Sequence, residues 1–236
     1  KKLPAFNPQN IANVLWAYSK LGYSSPDLFD AAAEESIQKI DKFNAQDISN
    51  TTLSYAKLGH HSPAFFDAVS ERAIQKLSTL NVISIHNILW SYAKLGHSSP
   101  ELLDAVADEI IEKLSTFDMR NLSIIIWSYA KLGHSSPKLF DAASAEAIKK
   151  INRAKPSEIS NLLWACGKIG YSCPILFDAA SDVAIRKLER FKAQEISNTL
   201  WSFAKMGHAS EKFFDTVSGK VIQKLDTFNA QAISNT

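Results

Sequence analysis

A glycine that recurs every 37 residues is the feature that most constrains how this chain can fold. It stands in a common stretch, of which LWSYAKLGHSSP is one copy. A fixed period of this size is typical of solenoids, in which each repeat packs only against its neighbours. The sequence therefore predicts a tandem repeat protein. The recurring residues are Gly22, Gly59, Gly96, Gly133, Gly170 and Gly207.

Repeat boundaries fall before the Asn of the FNAQ motif. We expect one α-solenoid over residues 1–236, and because the last repeat is incomplete we expect the chain to belong to something longer. The repeats are 7–43, 44–80, 81–117, 118–154, 155–191, 192–228 and the partial repeat 229–236.

Each repeat contains the signals of a helical hairpin. In the second repeat, Asn44 can cap a first helix over about 45–58, and Gly59 can end it. Pro63 suits the first position of a second helix, predicted over about 63–77. A short loop makes the two helices antiparallel, and stacked hairpins form a solenoid. The predicted fold class is all-α, a right-handed α-solenoid of tandem 37-residue helix-turn-helix repeats.

Composition excludes few functions. The net charge of +2 is only weak evidence for a nucleic-acid partner. No apolar run reaches the roughly 18 residues of a membrane span, so we expect no membrane partner. Cys166 and Cys173 replace Tyr or Phe and Ser of other copies, which indicates substitution rather than a disulfide.

One exposed face of the first helix carries three periodic columns, because residues at i, i+4 and i+11 share a face. The variable column is Gln9, Gln46, Ile83, Arg120, Ser157 and Gln194. The Asn column is Asn13, Asn50, Asn87, Ile124, Asn161 and Asn198. The Lys column is Lys20, Lys57, Lys94, Lys131, Lys168 and Lys205. A neighbouring second variable column is Asn10, Asp47, Ser84, Asn121, Glu158 and Glu195.

These columns favour a modular RNA-binding surface. A ladder of Lys suits phosphates, which add affinity without sequence information. The Asn column and the two variable columns suit base edges, as in proteins that use one helical repeat per base. From the pattern alone, protein binding is equally supported.

Structural explanations for the same columns remain open. A solvent-facing position can vary because nothing constrains it, and the Asn side chains can bond a neighbouring repeat's backbone. The Lys column can instead form ion pairs with an equally regular Asp column: Asp30, Asp67, Asp104, Asp141, Asp178 and Asp215.

Two ring-bearing columns complete the repeat. The Trp column can stack on bases, but Leu53 in the second repeat favours packing between repeats. Its members are Trp16, Trp90, Trp127, Trp164 and Trp201. Successive copies of the His that follows the Gly lie about 8–10 Å apart, too far to share a metal at Zn–N bonds of about 2.0–2.1 Å. We expect these His to pack in the loops, and we expect no metal or cofactor; they are His60, His97, His134 and His208.

No motif of a catalytic site is present. The sequence has no Gly-rich phosphate loop, GxSxG or HExxH, and tandem copies multiply a surface rather than build one asymmetric pocket. We expect a protein that is not an enzyme.

The repeat core resembles two families. NIANVLWAYSKLG, ISNLLWACGKIG and ISNTLWSFAKMG are similar to the LAN-LLWALAKLG core of octotricopeptide repeats, and the 37-residue period is similar to heptatricopeptide repeats. The chain lacks the octotricopeptide PPPEW segment and a visible RAP domain. Tetratricopeptide repeats have a period of about 34 residues.

The resemblance implies an organellar RNA-binding α-solenoid, mitochondrial or plastid, that acts in RNA processing, stability, translation or ribosome assembly. We therefore expect single-stranded RNA binding by concave first helices, about one base per repeat. The alternative is a protein–protein interaction scaffold, such as a structural subunit of an organellar ribosome or other ribonucleoprotein assembly.

Overall fold

The chain folds into helical hairpins. The computed structural model describes residues 5–224 and 226, and within them every regular element is an α-helix or a one-turn 3-10 helix. The chain divides into two compact units, residues 1–113 (unit 1) and 114–236 (unit 2). The all-α class and the tandem α-solenoid packing are confirmed, while the right hand of the superhelix stays a prediction. The partial repeat 229–236 lies outside the described residues.

Unit 1 contains three hairpins joined by 3-10 turns. The first helices are α1 (Pro8–Leu21), α3 (Ala45–Leu58) and α5 (Val82–Leu95). The second helices are α2 (Pro26–Gln38), α4 (Pro63–Gln75) and α6 (Pro100–Lys113). The turns are Ile40–Lys42 and Leu77–Thr79. The helix predicted over 45–58 is confirmed, and the second helix ends two residues before its predicted end.

Unit 2 repeats this arrangement. The first helices are α7 (Met119–Leu132), α9 (Pro156–Ile169) and α11 (Ala193–Lys205). The second helices are α8 (Pro137–Lys150), α10 (Pro174–Lys187) and α12 (Glu211–Lys224). The 3-10 turns are Leu114–Thr116, Ile151–Arg153 and Leu188–Arg190.

Local chemistry determines where each helix ends. Gly59 follows α3 with φ of 71°, a left-handed conformation that side chains with a Cβ disfavour. Its N–H donates to the Ala56 carbonyl, and the His60 N–H donates to the Tyr55 carbonyl. These bonds satisfy the last carbonyls of the helix. Pro63 then begins α4 at the position where its missing N–H has no effect.

The first helices form the more closely packed row in each unit. α1, α3 and α5 contact one another far more extensively than α2, α4 and α6 do, and α7, α9 and α11 behave likewise. Small side chains permit this approach. A Cβ added to Gly167 in α9 would lie 3.0 Å from the Trp201 ring of α11.

A regular lysine at the end of the second helix ties four of the repeats to the repeat before them. Lys39 Nζ donates to the Phe6 carbonyl at 2.8 Å, and Lys113 Nζ donates to the Leu80 carbonyl at 3.1 Å. In unit 2, Lys150 and Lys187 make the corresponding bonds. Sequence reasoning did not single out this stapling Lys column, although it recurs with the same 37-residue period as the Lys column of the first helices.

Candidate nucleic-acid interface

The Lys column of the first helices is exposed and unpaired. All six side chains are exposed, and none forms an ion pair or hydrogen bond within residues 5–224 and 226. Lysine side chains lose entropy when they are fixed, and none of these six is fixed by a partner in the described chain. Their ammonium groups therefore remain available to an anionic partner. The members are Lys20, Lys57, Lys94, Lys131, Lys168 and Lys205.

The Asp column has different partners from those the sequence allowed. His97 Nε2 lies 3.1 Å from Asp67 Oδ1, and the Tyr171 hydroxyl donates to Asp141 at 2.7 Å. Each contact joins a loop residue to the second helix of the preceding repeat. The ion pair considered between the Lys and Asp columns is therefore wrong in the part of the chain that the structure describes.

The loop histidines pack between repeats, as predicted. His97 is 8% exposed, and its ring lies 5.4 Å from both the Phe66 and Tyr92 rings, centroid to centroid. Burial lowers the pKa of His97 below its usual 6.5, although Asp67 acts in the opposite direction. His97 Nδ1 lies 3.1 Å from His61 Nε2. The two rings and the carboxylate form a small polar cluster within unit 1.

The Asn column and the variable column share the face of the Lys column. In α11, the Gln194 side-chain amide donates to the Asn198 side-chain carbonyl at 2.8 Å, which directly confirms that these two columns are neighbours. Among the described residues, no Asn-column side chain bonds the backbone of a neighbouring repeat. The polar groups therefore remain at the surface, where Asn13 is exposed and the other members are half-buried.

The second variable column caps the first helices. Asp47 accepts a hydrogen bond from the Asn44 N–H at 3.2 Å, and Glu158 accepts one from the Lys155 N–H at 2.8 Å. Asp47, Ser84 and Glu158 are only 6%, 4% and 8% exposed. The expectation that Asp47, Ser84 and Glu158 face base edges is wrong, because burial and capping explain these three residues. The signal was in the sequence: an acceptor at the third helical position after an N-cap is a capping box.

The capping role extends to two further members of that column, Asn10 and Glu195. Asn10 accepts from the Asn7 N–H at 3.2 Å, and Glu195 accepts from the Lys192 N–H at 2.8 Å. The backbone N–H of Asn121 donates to the N-cap Asp118 at 2.8 Å. Asn10 is exposed, while Asn121 and Glu195 are half-buried. Capping therefore accounts for the polar side chains of Asn10 and Glu195, while contact between the Asn121 side chain and base edges stays a prediction.

The Trp column forms a ladder in unit 2. The Trp127 and Trp164 ring centroids lie 6.3 Å apart, and those of Trp164 and Trp201 lie 6.4 Å apart. These distances are in the range of favourable aromatic pairs, so the predicted packing between repeats is confirmed here. All three side chains are nevertheless half-buried rather than buried. The rings therefore hold successive first helices together and still present part of their surface to solvent.

Each first helix of unit 2 presents one continuous stripe. In α9 it consists of Ser157, Asn161, Trp164 and Lys168, spaced i, i+4, i+7 and i+11. At about 1.5 Å per residue the stripe is about 16 Å long. It combines an aromatic surface with an unpaired cation at one end. Stripes of α7, α9 and α11 lie side by side because these helices are the closely packed row.

Charge is distributed unequally between the units. Unit 1 contains 10 Lys and Arg against 13 Asp and Glu, a formal net charge of −3. Unit 2 contains 16 Lys and Arg against 11 Asp and Glu, a net charge of +5. The modest total of +2 therefore conceals a basic half. A polyanion is attracted to unit 2 more strongly than to unit 1.

The repeats match a known protein family. The model of the RNA-editing substrate-binding complex 6 protein family matches residues 3–174 and again residues 74–236. The chain belongs to this family. The two matches to this family model start about two repeats apart, as expected for a chain of nearly equivalent repeats. Membership supports an RNA-associated helical-repeat protein, while the finer likeness to heptatricopeptide or octotricopeptide repeats stays a prediction.

No curated protein matches the chain. Within residues 5–224, no helix has both the length and the apolar character needed to cross a membrane.

Proposed function

We propose that this protein binds single-stranded RNA along the stripes of its first helices, as a non-catalytic component of an RNA-editing substrate-binding complex. The observation that carries the proposal is the Lys column, exposed and unpaired beside the half-buried Trp ladder of unit 2. The family name, which refers to a complex that binds the substrates of RNA editing, supports the same partner.

The two parts of the stripe do different work. Lys131, Lys168 and Lys205 contact successive phosphates, and each contact adds affinity regardless of sequence. Bases stack against the exposed surface of the Trp rings, and the Asn column lies within reach of base edges. Because the first helices are the closely packed row within each unit, their stripes lie side by side. About one base per repeat follows from one stripe per repeat.

Unit 1 is the better surface for a protein partner. Its net charge of −3 opposes a polyanion, and it carries exposed Trp16, Leu21 and Tyr23 in its first repeat. A complex component needs protein contacts as well as RNA contacts. We propose that unit 1 contributes the protein contacts.

We also propose a mitochondrial location, since RNA-editing complexes of this family are mitochondrial in kinetoplastids; the plastid alternative has no such support.

The test is salt-dependent binding of an RNA selected from a random single-stranded pool. For single strands, the slope of log affinity against log salt changes by about 0.7 per phosphate contact. Replacing Lys131, Lys168 and Lys205 together with Gln should therefore reduce that slope by about 2. A slope that stays at the wild-type value, or a pool that yields no enriched RNA, contradicts the proposal.

A charge-matched control separates contact from general attraction. Lys138, Lys149 and Lys212 lie exposed on the second helices of the same unit. Their triple replacement by Gln removes the same charge from unit 2 without touching a stripe. The control should lose much less of the salt slope. Equal losses in the two triple variants would show that only net charge matters.

A further inference from the structure

A cavity in unit 2 lies at the N-terminal ends of α7 and α9, where Arg120, the first residue of the α7 stripe, forms part of its wall. Its volume is about 540 Å³, and four basic residues contribute to its wall: Arg120, Lys150, Arg153 and Lys155. Two of them come from the start of the first helices, and the others come from the end of α8 and the 3-10 turn after it. Two acidic residues, Asp118 and Glu158, also line it.

Both acidic groups are engaged by backbone donors. Asp118 Oδ1 accepts from the Asn121 N–H, and Glu158 Oε2 accepts from the Lys155 N–H, each at 2.8 Å. Lys150 is engaged too, because its Nζ donates to the Phe117 carbonyl and pairs with Glu146. The side chains that remain without a partner in the described chain are three cations, namely Arg120, Arg153 and Lys155.

The fold does not require these cations. The equivalent positions at the junction of the second and third repeats are Gln46, Thr79 and Asn81. Those residues build the same hairpins, so the formation of the hairpin does not explain why three cations meet at one junction. The cluster of three cations is therefore a local feature of this junction rather than a consequence of the repeat.

Lys155 is unfavourable for the helix that it begins. Asn7, Asn44, Asn81 and Asp118 occupy the same N-cap position, and each accepts a backbone N–H through its side chain. A lysine ammonium has no acceptor, so α9 lacks this side-chain cap. N-cap positions strongly prefer Asn, Asp and Ser. A lysine here contributes charge at the expense of helix stability.

We propose that this cavity is a phosphate-binding site in which Arg120, Arg153 and Lys155 contact the oxygens. Guanidinium groups bind phosphate through paired, charge-assisted hydrogen bonds. The N-terminal ends of α7 and α9 add the positive ends of two helix dipoles. The phosphate belongs either to an RNA strand or to a free polyphosphate, and both present the same oxygens. The site does not depend on RNA binding by the Lys column.

Two probes distinguish these sources. Binding of inorganic pyrophosphate is measured by calorimetry, and binding of a 5′-hydroxyl single-stranded RNA is measured by fluorescence anisotropy. The test variant is Arg153→Gln with Lys155→Gln, because Arg120 also belongs to the α7 stripe. The matched control is Lys138→Gln with Lys212→Gln, exposed on second helices of unit 2. Circular dichroism confirms that all proteins are folded equally.

The test variant should lose about tenfold or more in affinity for at least one probe, the equivalent of one charge-assisted hydrogen bond. The control should change by less than about twofold, as expected where no contact is lost. Loss for RNA alone assigns the site to the strand, and loss for pyrophosphate assigns it to a free polyphosphate. Unchanged affinity for both probes, or equal loss in variant and control, overturns the proposal. Neither result depends on the Lys131, Lys168 and Lys205 variant, so the two proposals fail separately.

Discussion

Lys187 Nζ donates a 2.6 Å hydrogen bond to the backbone carbonyl of Ala154, which joins α10 to the last residue of the preceding repeat. The same ammonium donates to the Asn152 carbonyl at 2.8 Å. A buried backbone carbonyl that loses its donor destabilises the fold. Lys39, Lys113 and Lys150 make the equivalent bond, so the stapling Lys column stabilises the packing between successive repeats.

Lys187→Met should lower the free energy of unfolding by about 1–3 kcal/mol, because the Ala154 and Asn152 carbonyls lose a charged donor while the aliphatic stem is kept. Urea denaturation measures the change. Lys138→Met is the control, since Lys138 is exposed and makes no contact of this kind; it should stay within about 0.5 kcal/mol. Equal effects would show that the hydrogen bonds contribute nothing specific.

Trp164→Leu tests the middle of the Trp ladder. Leu53 occupies this position in the second repeat, so the hairpin tolerates the smaller side chain. We expect RNA affinity to fall by about 1–3 kcal/mol, the value of stacking one base on an aromatic ring. Quenching of Trp fluorescence by added RNA and anisotropy titration both measure it. Trp16→Leu, in acidic unit 1, should reduce affinity much less. An unchanged dissociation constant for Trp164→Leu would assign the ladder to packing alone.

Lys155→Asn should separate stability from binding. Asn restores the side-chain cap that four other first helices have, so the free energy of unfolding should rise by about 1 kcal/mol. Affinity for the phosphate probe should fall in the same variant, because one of the three unpaired cations is removed. Thermal unfolding and calorimetry provide the two measurements. If the variant shows no gain in stability and no loss of affinity, the interpretation of Lys155 is wrong.

His97 should make unit 1 sensitive to acid. Burial lowers the pKa of His97, so the unfolded chain binds more protons than the folded one between the folded pKa and the usual 6.5. The stability that the fold gains from a neutral His97 is complete above a pH of about 6.5, and it is lost as the pH falls toward the pKa of His97 in the folded state.

His97→Tyr should remove this pH dependence. Tyr171 occupies the same position in another repeat and bonds Asp141, so Tyr is compatible with the loop. The measurement is the difference in unfolding free energy between the two proteins at pH 7 and pH 5. Relative to the value at pH 7, this difference should favour the variant more at pH 5. A difference that is constant across this range would show that the pKa of His97 is the same in the folded and unfolded states.

Local signals in the sequence were enough for the hairpin. Gly59 ends a helix because its φ of 71° suits glycine, and Pro63 begins one because it needs no N–H donor. Both effects act within a few residues, so they can be predicted without tertiary structure. The periodic columns follow from the same helices, since residues three and four apart share a face.

Whether a column faces a partner or the fold was decided by tertiary structure alone. Lys168 and Lys187 recur with the same period and belong to the same repeat, yet only Lys187 reaches the carbonyls of a neighbour. Glu158 varies between copies like a base-contacting residue, yet it is buried against its own N-cap. The sequence determines period and helix face because these are local. Hydrogen-bond partners depend on where the adjacent repeat places its backbone, and that is set by packing.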